Sequence, residues 1–261
     1  MAAWIIRHFP PHEVYVEPFA GSASVLLQKQ TARTEVLNDL NGRIVSAFRV
    51  LRDPAMSARL KDMLQMTPCS IVEYLAAREV SPDPIEDARR LIILGHQSHG
   101  STGASGKKSG WRRGLRPRGP ASANEWASLH EAVMAWADRL RATYLECNPA
   151  IAVIAQWDSP QTLHYVDPPY VATTRANGLS AYTHEMTDND HRDLAETLHK
   201  CVGMVVLSGY PCELYDWELY PGWHRVYRST VADKQKPTTE VLWMNEAAVR
   251  GQGQAALDFA R

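Results

Sequence analysis

Small apolar and aromatic residues alternate over residues 14–16, and residues 35–37 turn apolar after a charged start, which predicts two short strands near the start of the chain. Between them Glu17-Pro18-Phe19-Ala20-Gly21-Ser22 reads as a turn, after which Val25, Leu26 and Leu27 open a helical pattern. The second strand runs into Asn38-Asp39. Ile44, Val45, Phe48 and Leu51 then recur at helical spacing until Asp53-Pro54 stops them, giving the order β-α-β-α. From Ala55 to about Tyr144 strand signals vanish. Met56/Leu60/Met63/Leu64, Ile71/Tyr74/Leu75, residues 85–94 and Trp126/Leu129/Val133/Trp136/Leu140 all fit amphipathic helices, so a helical insertion is predicted. Strand character returns at 163–166, 204–207, 224–227 and 241–244, and Thr187-Asp188-Asn189-Asp190 starts a helix carrying Leu194, Leu198 and Cys201. Strands alternating with helices imply an α/β fold with a mainly parallel sheet covered on both faces. Ligands of such sheets bind beyond the carboxyl ends of the strands.

Composition narrows the class. With 261 residues, 45% hydrophobic and 22% charged, the chain is globular rather than disordered or fibrous. No apolar run approaches the roughly 20 residues that span a bilayer, and residues 1–6 lack the pattern of a signal peptide, so a cytoplasmic protein is expected. Cys69, Cys147, Cys201 and Cys212 form no C-x-x-C pair, which points to reduced thiols. His96/His99 and His184/His191 lack the company that metal ligation needs, and no metal is expected. Charge is distributed unevenly. Lys107, Lys108, Arg112, Arg113, Arg116 and Arg118 fall within twelve positions, and residues 100–120 contain no acid but six glycines. Without that segment the chain holds 22 basic against 29 acidic residues, a net of −7. The loop is either a solvated surface segment or a polyanion contact.

Two turns carry the candidate chemistry. The small residues Ala20-Gly21-Ser22-Ala23-Ser24 allow a ligand close to the backbone, and Asp39, eighteen residues after Gly21, stands where a carboxylate meets ribose hydroxyls. A tight turn and a helix cap would explain either residue alone equally well. The stretch lacks the three-glycine dinucleotide fingerprint, and Gly106-Lys107 is no Walker loop, because Lys108 stands where Ser or Thr is required. The second turn is Asp167-Pro168-Pro169-Tyr170. Its prolines remove two backbone donors, leaving carbonyls at a strand end to accept hydrogen bonds. A carboxylate and a carbonyl together hold an exocyclic amine by its two N–H groups, and Tyr170 offers a flat face for a base.

These blocks resemble the Dam-like N6-adenine DNA methyltransferases of the stand-alone bacterial and phage type. Residues 15–22 are similar to the family's cofactor motif, and Leu37-Asn38-Asp39-Leu40-Asn41 with residues 44–52 to its ribose block. Asp167-Pro168-Pro169-Tyr170 is similar to the catalytic motif, and residues 204–210 and 239–243 to later core strands. The resemblance implies a Rossmann-like sheet with an inserted helical target-recognition domain. It divides the chain into a discontinuous catalytic domain (1–52 and 149–250), the insertion (53–148) with its basic loop at 100–120, and a tail (251–261). It implies S-adenosylmethionine as methyl donor, lined by Glu17, Pro18, Phe19, Ala20 and Gly21, with Asp39 on the ribose and Asp167 near both the amino-acid end and the target amine. Double-stranded DNA is the implied partner, bound by a monomer without an obligatory protein partner. Phosphates would be clamped by Lys107, Lys108, Arg112, Arg113, Arg116 and Arg118, and Tyr182 would border an adenine flipped onto Tyr170.

Other readings remain open at this point. N4-cytosine transfer also attacks an exocyclic amine, although Asp at position 167 favours adenine. The family's glycine-glycine-lysine segment ahead of the first strand has no counterpart in residues 1–6, which implies weak cofactor binding and raises the alternative of a catalytically impaired DNA-binding remnant. Pro211-Cys212 matches the nucleophile of cytosine-C5 enzymes in composition but not in place, and a packed thiol is the expectation. Nothing resembles a nuclease, so the expected biology is an orphan methylase.

Overall fold

The computed structural model describes residues 1–98, 110–112, 122–175, 182–230 and 238–258. In chain order its elements are α1 (Ala2–Ile6), β1 (Val14–Glu17), β2 (Thr34–Asn38), α2 (Gly42–Arg52), α3 (Pro54–Met66), α4 (Ile71–Ala76), α5 (Pro84–Gln97), α6 (Ser122–Leu140), β3 (Thr143–Glu146), α7 (Ala150–Trp157), β4 (Thr162–Val166), α8 (Asp188–Lys200), β5 (Met204–Gly209), β6 (His224–Thr230), β7 (Thr238–Met244) and α9 (Glu246–Asp258). A 3-10 turn at Ala172–Thr174 and a π-helix at Leu214–Leu219 complete them. Among the described residues, no helix is long and apolar enough to cross a membrane.

The strands form a seven-stranded sheet in the order β3-β2-β1-β4-β5-β7-β6. β1 pairs in parallel with β2 on one side and β4 on the other, and β4 pairs in parallel with β5. β7 enters antiparallel between β5 and β6. The fold is the mixed α/β, Rossmann-like one expected. β4 and β5 are buried along their whole length, as both faces of a central parallel strand are covered; β5 carries the apolar run 204–207, and β4 buries Thr162 and His164 among its apolar residues. On one face Leu194, Ala195 and Leu198 of α8 pack with Val166, Val205, Leu207, Tyr215 and Trp243. Val153 of α7 meets Val16 and Val36 in a smaller cluster.

The chain divides into two compact units, residues 1–40, 146–179 and 184–261 forming the first and 41–145 with 180–183 the second. The second unit starts at Asn41, and its α2 packs against α3, α5 and α6. Its helices begin on side chains placed for the purpose. Asn41, Asp53, Ser70 and Asp83 cap α2, α3, α4 and α5, and Pro54 and Pro84 occupy first-turn positions where a missing N–H costs nothing. Arg43 grips Asp87 through two hydrogen bonds of 2.7 and 2.9 Å, tying α2 to α5. The Trp126 indole donates to the Thr67 carbonyl at 2.6 Å, tying α6 to the end of α3.

Two departures from the sequence pattern stand out. Residues 22–30 form successive turns instead of the regular helix expected from Val25, Leu26 and Leu27. Gly21 and Ala23 both take positive φ, 51° and 52°, and left-handed residues cannot continue into a right-handed helix. Single helical turns survive beyond them, Leu27 donating to Ala23 and Lys29 to Val25, and they keep Val25 and Leu26 buried. β3 was also unforeseen. It lies within what reads as an all-helical stretch, and the Glu146 carbonyl accepts from the Asp39 amide.

At the other end of the strands Asp158 clamps the entry to β5, its two carboxyl oxygens accepting the Val202 and Gly203 amides at 2.8 and 2.9 Å. His164 and Cys201 place ligand atoms within 4.8 Å of this carboxylate, but both its oxygens are already engaged by backbone. A side chain on Gly203 would collide there, its Cβ meeting the Ser159 carbonyl at 2.7 Å, Asp158 Oδ1 at 2.8 Å and the Thr162 carbonyl at 2.9 Å. Gly203→Ala is expected to destabilise the protein by about 1–3 kcal/mol in urea unfolding, because two of the three atoms are backbone carbonyls and the third is the Asp158 oxygen that holds the Gly203 amide.

Candidate active site

The strand order reverses between β1 and β4, which carries their carboxyl ends apart from the flanking connections and opens a ligand crevice there. Glu17 ends β1, Asp39 follows β2, Asp167 follows β4 and Tyr210 follows β5. β7 runs the opposite way, so its start lies beside the end of β5, with Val241 paired to Gly209 and Glu240 one residue earlier. Elements spread over more than 220 residues thereby deliver their polar side chains to one end of one sheet.

The first turn is built on hydrogen bonds between the ends of β1 and β2. Ala20 donates to the Asn38 carbonyl at 2.8 Å, the Asn38 amide donates to the Pro18 carbonyl at 2.9 Å, and the Gly21 amide donates to the Asp39 carboxylate at 2.9 Å. Pro18 and Ala20 are buried, and Phe19 packs against the main core. A Cβ on Gly21 would meet nothing within 4 Å, so the backbone borders open space there. Its positive φ, rather than crowding, is what calls for glycine. Ala23 carries the same backbone strain without that freedom.

Glu17 is buried, accepting the Tyr15 hydroxyl at 3.0 Å and the Leu26 amide. Burial, with the charge of Asp167 added, outweighs these bonds and pushes its carboxyl up to about 8. Lys29 does not neutralise it. Its ammonium lies 4.4 Å above the Tyr15 ring and is paired at 2.7 Å with Glu35, both partners being buried.

Asp167 and Tyr170 lie in the second turn, where Pro168 and Pro169 are buried and Asp167 and Tyr170 half-buried. Burial pushes the Asp167 carboxyl up to about 6, against the opposing hydrogen bonds of the Tyr170 and Tyr165 hydroxyls. The Tyr170 hydroxyl donates to Glu240 at 3.1 Å and lies 3.3 Å from the Ser208 hydroxyl. Its ring meets that of Tyr210 edge to face, with centroids 4.6 Å apart. Glu240 is itself pushed up to about 7 by burial and then by the charge of Asp167. Ser208, Tyr210 and Glu240 were not singled out from sequence. Their nearest signal was position alone, at the end of one predicted strand and the start of another.

The structure brings Glu17, Asp167 and Tyr170 into one electrostatic neighbourhood, with Gly21 and Asp39 at the adjacent strand end. Lys107, Lys108, Arg113, Arg116 and Arg118 lie outside the described residues. Arg112 is described, and it bonds through its amide to the Gln97 carbonyl at 2.7 Å and through its side chain to Glu125 at 3.3 Å. Tyr182 is exposed and clusters with the helical unit. Cys212 is half-buried, and burial pushes its thiol up, the opposite of what a nucleophilic thiolate requires. His191 is buried, with Nδ1 3.0 Å from the Tyr215 hydroxyl, a core contact.

Residues 1–217 match the family model of the D12 class N6 adenine-specific DNA methyltransferases. The chain belongs to this family. Among its relatives, the DNA adenine methylase of Escherichia coli K12 is 25% identical over 202 residues, covering 74% of this chain and 69% of that protein. The DNA adenine methylase of Salmonella typhi is 24% identical over 223 residues, covering 80% and 76%. The methyltransferase acts on the N6 amine of adenine in DNA, and the cytosine and remnant readings are not favoured. The acidic turn at Asp167 thus lies in an enzyme whose substrate presents an exocyclic amine.

The ligand-free methyltransferase carries a pH signature of its crowded carboxyls. Glu17 holds its proton to about pH 8 when folded but releases it near 4.5 when unfolded, so between those values the folded state binds more protons and stability falls as pH rises. Asp167 and Glu240 act in the same direction up to about 6 and 7. Glu17→Gln is expected to make the slope of unfolding free energy against pH less negative by up to about 1.4 kcal/mol per pH unit between pH 5 and 8, measured by urea titrations.

Proposed function

We propose that the enzyme takes its methyl group from S-adenosylmethionine and places it on an adenine turned out of duplex DNA. The observation that supports this most is the pair of neighbouring carboxyls, Glu17 and Asp167, whose affinity for protons is raised by burial and, for Glu17, also by the charge of Asp167. A cationic ligand relieves that crowding as a proton does, and S-adenosylmethionine bears both a sulfonium and an ammonium. The site residues fit it in other respects. Asp39 is anchored at the end of β2 by accepting the Gly21 amide, and the open space at Gly21 beside it admits a ligand against the backbone.

When bound, S-adenosylmethionine supplies an electrophilic methyl group on sulfur. The chain's own residues then orient the nucleophile. Asp167 and the Pro168 carbonyl accept the two N–H groups of the adenine amine, which turns the nitrogen lone pair toward the methyl group, and Tyr170 stacks on the base. No side chain forms a covalent bond to substrate. The helical unit reads the target sequence, and Lys107, Lys108, Arg112, Arg113, Arg116 and Arg118 hold phosphates, with Tyr182 beside the flipped base.

Incubating the protein with S-adenosylmethionine and unmethylated duplex DNA is expected to yield N6-methyladenine by nucleoside mass spectrometry, reduced by about 10²–10³-fold or more in Asp167→Ala. Asp39→Ala is expected to weaken S-adenosylmethionine binding by about tenfold in calorimetry. N4-methylcytosine as the product, or full activity in Asp167→Ala, would overturn the assignment of the site. Replacing Lys107, Lys108 and Arg113 together with alanine should lower the salt dependence of DNA binding, log K against log salt, by about 2–3. An unchanged slope would remove that loop from the interface.

A further inference from the structure

The Tyr170 ring follows two prolines in an irregular turn, where no regular backbone ladder sets its orientation. Its hydroxyl, which also lies within hydrogen-bond reach of Asp167 in its own turn, is held from two further strands, by Glu240 at the start of β7 and by Ser208 on β5. Glu240 is a costly residue to place there. It is half-buried beside Asp167, with which it repels, and it lies directly across β6–β7 from Arg228, a cation that would relieve it. Arg228 instead stacks on the Trp4 ring, 5.7 Å from its centroid, and the hydrogen bond made by Glu240 goes to Tyr170. An acid retained in an electrostatically unfavourable place, with its acceptor aimed at the hydroxyl of one ring, has the signature of a functional constraint rather than a stabilising one. The edge of the Tyr170–Tyr210 pair restricts the same ring from a second direction, so three contacts together limit both side-chain torsions of Tyr170.

We propose that Glu240 is a positioning residue for methyl transfer: by accepting the Tyr170 hydroxyl it fixes the plane on which the target base stacks. This rests on the assignment of Tyr170 as the stacking residue. Glu240 touches neither base nor methyl donor. Its effect on rate passes through the ring, and a charge is not essential to it, since the side-chain carbonyl of glutamine accepts the same hydrogen bond.

The test is a double-mutant cycle between Glu240→Ala and Tyr170→Phe, with Glu240→Gln as the conservative variant. It is read in two ways, by urea unfolding and by the single-turnover rate of N6-methyladenine formation on unmethylated genomic DNA. Glu240→Ala is expected to slow single turnover by about 10–100-fold while leaving S-adenosylmethionine binding within about twofold. Glu240→Gln should retain the rate within about threefold, and Tyr170→Phe/Glu240→Ala should be no slower than the slower single variant. Independent, multiplicative losses, or a Glu240→Ala rate equal to wild type, would overturn the proposal. An inactive wild type would instead overturn the reading of the site as a methyl-transfer centre, and the unfolding cycle then decides the contact itself: zero coupling refutes it and a non-zero coupling supports it.

Discussion

Burial of the carboxyls of Glu17, Asp167 and Glu240 shapes the carboxyl end of this sheet, because each is withdrawn from water and the charge of Asp167 reaches the other two. Much of the local architecture can be understood as its management. Tyr15 serves Glu17, Tyr165 and Tyr170 serve Asp167, and Tyr170 also serves Glu240, so neutral hydroxyls supply hydrogen bonds without supplying charge. Lys29, whose charge does reach Glu17, is committed to Glu35. On the proposed function, a cationic methyl donor and an amine donor beside it would complete this imbalance.

The sheet could be anticipated because each strand carries its own local signature. Residues 204–207 are apolar on both faces and Leu163, Tyr165 and Val166 nearly complete such a run around His164, as suits central parallel strands, and β4 and β5 occupy those positions. Asp167-Pro168-Pro169-Tyr170 was legible for a similar reason, since two prolines at a strand end have few local explanations. Glu240 and Ser208 were not. Their significance depends on β7 entering antiparallel beside β5, a pairing between segments 30 residues apart that no local pattern encodes. The helix expected after Gly21 failed on a conformational point: Val25, Leu26 and Leu27 are apolar at suitable spacing, but Ala23 adopts a left-handed backbone that alanine rarely takes. Composition alone could not reveal that strain, which costs on the order of 1–2 kcal/mol and is carried by the residues that hold the turn.

The two compact units differ in how they are held. The sheet unit has a dense apolar core around Val205, Leu207 and Trp243, and the helical unit carries side-chain ties between helices, such as Arg43 to Asp87 and Arg89 to Glu73. Ties of that kind are directional, so they specify which helices meet as well as how strongly. Precision of this sort suits a unit whose surface side chains must meet a defined partner.

The position of β7 between β5 and β6 also governs when the enzyme comes into being. During synthesis Asp167 and Tyr170 leave the ribosome long before residue 240, and β6 has no neighbour to join until β7 inserts beside it. A nascent chain lacking β7 therefore holds its Asp-Pro-Pro-Tyr turn without the carboxylate that accepts the Tyr170 hydroxyl. On the role proposed for Glu240, the last strand to be translated is the one that completes the hold on the Tyr170 ring.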